Sequence, residues 1–338
     1  MHRFTRATLI FCALLMGFNL GAQAKVLKVA TLTPDGSSWM VIMRQAAKDI
    51  AAQTDNRVKF KFYPGGVMGN DQTVFRKIRA GQLHGTATTG GAMSGFYKDA
   101  QLYGLPFIFK NQQEVDYVRK KMDPQIMQGL EDNGFVSFGL ADGGMAYVMS
   151  KTPTPDVDEL GSRKVWLPTD DQAMLETAQA FGIHPVPLSL GDVLTSLQSG
   201  LIDTVATSPI GAIALQWHTQ VEYVTDVPLV YLSAVLAVQK KAFDQISPAD
   251  QQLTRDIMGK AFVDIDQLNR KDNVNAMKAL QNQGLKLISP SDAQLQQWSK
   301  LAAHSRQQAI NNAQVTQEGV DQITRYINEL YESQAANQ

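Results

Sequence analysis

The sequence has almost no cysteine: its 338 residues contain one, Cys12. No intramolecular disulfide and no cysteine-based zinc site can form, which excludes the small disulfide-held secreted domains. Charge is also scarce and balanced. Lys plus Arg number 31 against 32 Asp plus Glu, and charged residues make up 19% of the chain, below the ~25% usual for globular domains. A nucleic-acid binder needs a basic excess to meet phosphates, and there is none. Disorder is excluded too, because 44% of the residues are hydrophobic and the net charge is small. Beyond the N-terminus no run approaches the ~18 uninterrupted apolar residues of a membrane span. Catalytic signatures are missing: the chain has no G-x-S-x-G, S-x-x-K, H-E-x-x-H, P-loop or G-x-G-x-x-G.

The first 24 residues read as a secretory signal. His2, Arg3 and Arg6 form a basic start, Ala7 to Leu20 an apolar stretch, and Ala22-Gln23-Ala24 an A-x-A cleavage site. Phe11 is the wrong size to precede a lipoprotein cysteine, so Cys12 belongs to the discarded signal. Removing 24 of the 338 residues leaves 314, with no cysteine and with 29 basic against 32 acidic residues. The expected destination is a bacterial periplasm.

The remaining chain alternates strand and helix. Val26 to Leu32 alternates as a core strand. Trp39 to Gln53 carries Met40, Met43, Ala46, Ala47 and Ile50 at helical spacing. Arg57 to Tyr63 is a second strand, and Asp71 to Ala80 a short helix. A second cycle gives strands at Val165–Leu167, Pro185–Leu188 and Leu201–Ala206, with helices at Asp171–Phe181 and Gly191–Gly200. This rhythm predicts an α/β fold with a mainly parallel sheet. Ser247-Pro248-Ala249-Asp250 is a helix start. It opens a helix to about Asn282, and two more helices follow near 291–309 and 315–333.

Few residues suggest chemistry. His84, His184, His218 and His304 are scattered, and none has a metal-ligand partner at i+4. Gly90 to Gly95 could present backbone N–H groups, although a strand-to-helix turn explains it as well. Asp170 and Asp171 could act as a carboxylate pair in an exported lyase or hydrolase, but they also suit a helix N-terminus. No metal or cofactor is expected. A two-lobed exported chain without a catalytic set points to a binding protein that closes on short hinges.

Several segments resemble one family. Phe62-Tyr63-Pro64-Gly65-Gly66-Val67-Met68-Gly69-Asn70-Asp71 is similar to the "fPgg-lGsd" motif of the DctP-type solute receptors of TRAP transporters. Gly81-Gln82-Leu83, Leu105-Pro106-Phe107-Ile108-Phe109, Leu160 to Pro168 and Pro185 to Asp203 match later family segments in order. The resemblance implies a type II periplasmic binding fold with two α/β lobes, a hinge cleft and long C-terminal helices. It also implies a small-molecule ligand and a TRAP permease of membrane subunits as partner. The lobes are expected at 25–147 plus 231–275 and at 148–230 plus 276–338.

The departures matter. Trp166 stands where the family's "KiRvP" arginine clamps a ligand carboxylate, Met145 near a second arginine, and Ser208 at an asparagine. Lys164 and Lys151 are cations that could serve instead. The expected ligand is apolar or amphipathic, with Trp39, Met145 and Trp166 as apolar wall and Thr89, Thr207 and Ser208 orienting a polar end. Gly90 and Tyr231 complete the candidate site. The alternatives are a small organic acid clamped by other residues, or a ligand-sensing subunit of a signalling system. The tryptophan, with Thr31 to Trp39, also resembles a sub-branch associated with a periplasmic tetratricopeptide-repeat protein.

Overall fold

The computed structural model describes residues 24–169 and 172–336. The signal segment before Ala24 and the pair Asp170–Asp171 lie outside the described residues. Strand β1 (Lys25–Thr31) runs parallel between β2 (Val58–Tyr63) and β3 (Gly85–Thr89). Helix α1 (Ser38–Gln53) connects β1 to β2, and α2 (Asp71–Arg79) connects β2 to β3. Each start is fixed by a side-chain cap. Ser37 Oγ accepts from the Met40 N–H, and Asn70 accepts from the Thr73 N–H, satisfying donors that the helix leaves orphaned. The expected stripe on α1 is buried on one sheet face with Leu27 and Val29. Val74, Phe75 and Ile78 of α2 are buried with Ala30 on the other.

The chain continues through α3 (Gln112–Asp132), β4 (Phe135–Ser150), α4 (Val157–Gly161), β5 (Trp166–Pro168), α5 (Gln172–Ala180) and β6 (Val186–Leu188). Next come α6 (Val193–Ser199), β7 (Thr204–Thr207), α7 (Pro209–Ala214), β8 (Tyr223–Thr225), β9 (Val230–Gln239) and α8 (Lys240–Phe243). The last elements are α9 (Pro248–Asn282), β10 (Lys286–Ile288), α10 (Asp292–Asn311) and α11 (Gln317–Ala335). Gly200 ends α6 in the left-handed region at φ 75°, where a side chain would be strained. Ser247 and Pro248 open α9 as their sequence predicts.

The main sheet has the order β10-β8-β4-β9-β3-β1-β2, with β7 also on β4, while β5 and β6 form a separate parallel pair. It is mixed, not mainly parallel. β9 is antiparallel to β3 and β4, and β4 is antiparallel to β7 and β8. The reason is topological. β4 runs beside β9 over Phe135–Ala146 and then beside β7 and β8 over Tyr147–Ser150, and β9 carries the chain back to β3, so the two run in opposite senses. Helix α9 accompanies them: Met258 and Phe262 are buried in the first lobe's core and Leu280 in the second's. Helix α10 docks on the second lobe, where Trp298 Nε1–H donates to Pro155 O at 3.2 Å. Helix α11 packs against α3, and its cap residue Thr316 bonds the buried Asp99 through both N–H (2.7 Å) and Oγ1 (2.6 Å).

One histidine gives the fold a pH dependence. His84 Nδ1 accepts the Lys28 N–H at 3.0 Å, so the bond requires an unprotonated Nδ1. Burial lowers the His84 pKa from 6.5, and Lys25 and Lys28 add to the effect. Below pH 6.5 the unfolded chain therefore binds this proton more readily than the folded one. The stability is complete above that pH and is lost as pH falls through the lowered folded value. Urea midpoints at about pH 7 and about pH 5 should diverge more for the wild type than for His84→Gln. Equal divergence would refute the assignment.

Candidate functional site

The two long strands cross between the lobes beside α9. At the crossing β4 bulges between Asp142 and Gly144, and Gly144 takes φ +87°. A side chain at Gly144 would strike Asn273 of α9, whose Nδ2 lies 2.5 Å from the position of a Cβ. Helix α9 holds the bulge from both sides. Asp266 Oδ1 accepts the Asp142 N–H at 2.8 Å, and Asn269 Nδ2 donates to Asp142 O at 2.7 Å. Beyond the bulge, Asn273 Oδ1 accepts the Ile210 N–H of α7 at 3.3 Å. One face of α9 thus bonds the crossing strand and then the second lobe.

Beneath the bulge lies a buried ionic network. Arg119 of α3 donates to Asp266 Oδ1 at 2.5 Å, Asp123 Oδ2 at 2.8 Å, Leu140 O at 2.8 Å and the Tyr231 hydroxyl at 3.0 Å. Arg270 donates to Asp266 Oδ2 at 2.8 Å and pairs with Asp116. Tyr103 donates to Asp123 Oδ1 at 2.7 Å. Burial pushes the Tyr231 and Tyr103 hydroxyl pKa values well up, so both stay protonated. Paired polar groups in low dielectric rigidify their surroundings.

The sequence-predicted residues, apart from Trp166, gather around this crossing. Trp39 Nε1–H donates to Asn269 Oδ1 at 2.8 Å, and its ring meets Phe262 edge-on at 6.5 Å. Met145 pairs with Tyr231 across β4 and β9. Tyr231 is 1% exposed. Thr89 ends β3 opposite Ala234 of β9 and accepts the Ala92 N–H at 3.3 Å. The Gly90 N–H donates to Ser233 O at 2.9 Å. A Cβ on Gly90 would lie 2.7 Å from both Ala100 O and Ser233 Oγ, so glycine here permits close backbone approach. Thr207 faces Tyr147 across β7 and β4. Ser208, buried at 3%, caps α7 by accepting the Gly211 N–H.

Trp166 packs in the cluster around Trp217. It is 7% exposed, and its indole N–H donates to Leu188 O at 3.1 Å. Its ring packs edge-on against Trp217 at 5.0 Å among Val193, Leu197 and Ala212. The two alternative cations are engaged as well. Lys151 Nζ donates to Leu197 O, and Lys164 Nζ to Gly200 O, at the end of α6 where the helix carbonyls favour positive charge.

Sequence reading missed the Arg119 network. Its signal was present as two i,i+4 ion pairs, Arg119/Asp123 and Asp266/Arg270.

Residues 29–312 match the sequence profile of the DctP family, bacterial extracellular solute-binding protein, family 7. The chain belongs to this DctP family. Its members are binding receptors, so the exported-enzyme alternative falls away, and the DctP fold agrees with the type II periplasmic binding architecture expected from the sequence motifs. A TRAP periplasmic solute-binding protein from Xanthobacter autotrophicus Py2, with bound β-D-galacturonate, superposes with a TM-score of 0.80 at 18% identity. That superposition covers 89% of this chain and 99% of the other. The 2,3-diketo-L-gulonate-binding periplasmic protein YiaO of Escherichia coli K12 is 21% identical over 291 residues, 84% of this DctP chain and 87% of YiaO. The uncharacterized protein YiiZ of Salmonella typhimurium is 25% identical over 209 residues, and the match spans 63% of its length.

Proposed function

We propose that this DctP receptor captures a small sugar acid or related organic acid between its lobes and delivers it to a TRAP permease in the membrane. The observation that carries the reading is the placement of Trp166. Its indole is withdrawn into the second lobe, with its N–H on Leu188 O and its ring on Trp217. The main reason to expect an apolar ligand was an indole lining the cleft, and this indole is occupied in packing. Related receptors that bind galacturonate and 2,3-diketo-L-gulonate support the acid reading. In this chain Met145, Trp166 and Ser208 stand where the family's polar clamps are expected, so the carboxylate is held by other groups.

The same reading keeps the lobe division expected from the sequence and proposes one change. The first lobe takes 25–147 and 231–275, and the second takes 148–230 and the segment from 276 through α10. We assign helix α11 to the first lobe on its packing against α3 and its tie to Asp99. Export on the signal at 1–24 completes the reading. Native mass spectrometry of the purified protein should reveal a bound polar acid that exchanges with added D-galacturonate. A tightly held apolar molecule that the acid does not displace would restore the opposite reading.

A further inference from the structure

We propose that Arg306 of α10 supplies the cation that holds the ligand carboxylate, taking the place vacated at positions 145 and 166. This inference rests on the acid reading above. Every other arginine among the described residues either lies within 4.0 Å of a carboxylate or is exposed. Arg306 is half-buried and has no carboxylate among the described residues. Among the described residues its one hydrogen bond runs from Nη1 to Pro106 O at 2.5 Å. A guanidinium carries five N–H donors in a planar fork suited to a carboxylate. Withdrawing it from water without an anion is unfavourable, and burial lowers its pKa. A ligand carboxylate would restore the balance.

The position fits. Helix α10 lies antiparallel to α5. Trp298 meets Phe181 at 6.1 Å, Ser305 meets Thr177 at 3.5 Å, and Asn312 donates to Glu176 at 2.8 Å. Residues 305–312 therefore stand beside the middle of α5, the helix that follows the carboxyl end of β5. Ligands of α/β sheets bind outside the carboxyl ends of strands. The Pro106 carbonyl comes from the first lobe. Its neighbour Phe107 donates its N–H to Leu229 O, and the Leu229 N–H donates to Ala146 O, next to Met145 on β4. Arg306 thus stands where the two lobes meet, at the level of the expected cleft.

The test is calorimetric titration of D-galacturonate, D-glucuronate and galactonate into the full mature chain, its Arg306→Met variant and its Arg306→Lys variant. Melting by circular dichroism checks the fold of each. The wild type should bind at least one acid, and Arg306→Met should lose about ten- to a hundredfold in affinity for it, the range of a charge-assisted hydrogen bond. Arg306→Lys, which keeps charge without the fork, should fall between them. Wild-type binding with an unchanged affinity in Arg306→Met overturns this role and leaves the acid reading standing. Absence of binding to all three acids by the wild type overturns the acid reading itself. If Arg306→Met does not fold, an unchanged affinity in Arg306→Lys overturns the role.

Discussion

Arg119→Leu should lower the stability of the chain by about 3–5 kcal/mol, the cost of leaving buried charges without their partner. The arginine is enclosed, with a side chain 7% exposed, and it pairs with Asp123 and Asp266 at once. Leucine fills part of the volume but compensates neither carboxylate. Burial already pushes the Asp123 pKa up, and only the Arg119 charge and hydrogen bonds work against it, together with Tyr103. Asp266 is held below its ordinary value, against its own burial, chiefly by Arg119. The network also fixes the bulge, because Asp266 accepts the Asp142 N–H. Urea unfolding should show a lower midpoint at an unchanged slope. A midpoint within the scatter of surface mutants would mean that the network contributes little.

The second large effect concerns Trp166. Trp166→Ala should cost about 3–5 kcal/mol of stability, as emptying a buried aromatic site does, and should leave acid affinity within a few-fold of the wild type. The two readouts separate packing from binding. A tryptophan lining the ligand would give the reverse pattern, with a large loss of affinity and a small loss of stability. Denaturant melts and calorimetry on the same preparation check both.

The helices were legible because their ends are encoded locally. Ser37, Asn70 and Ser247 are caps whose side chains do what their type suggests, and the α1 stripe repeats at 3.6 residues. Strand β4 was not legible. Its sequence does not alternate, since Gly139 and Gly144 sit at φ +153° and +87° and the register shifts at both places. Each shift breaks the two-residue period on which strand recognition depends. Without β4 and β9 the sheet reads as parallel.

The site was legible in part. Family motifs brought most candidate residues to the crossing, because motif order follows chain topology. They did not reveal where an indole at position 166 would point. A three-residue strand has two faces, and the ring that Trp166 packs against, Trp217, is 51 residues away in sequence. The Arg119 network was invisible for a similar reason. Ion pairs at i,i+4 adorn many solvated helices, and nothing local shows that Arg119 and Asp266, 147 residues apart, converge beneath one bulge.

An acid receptor without arginine at positions 145 and 166 must hold its carboxylate with other groups. The most direct measurement is calorimetric titration of D-galacturonate and related sugar acids into protein that has been unfolded, stripped of any carried ligand and refolded. Saturable binding of one acid per chain is expected, weakened by Arg306→Met and little changed by Trp166→Ala. No heat from any acid, together with saturable binding of an apolar solute that Trp166→Ala abolishes, would contradict it.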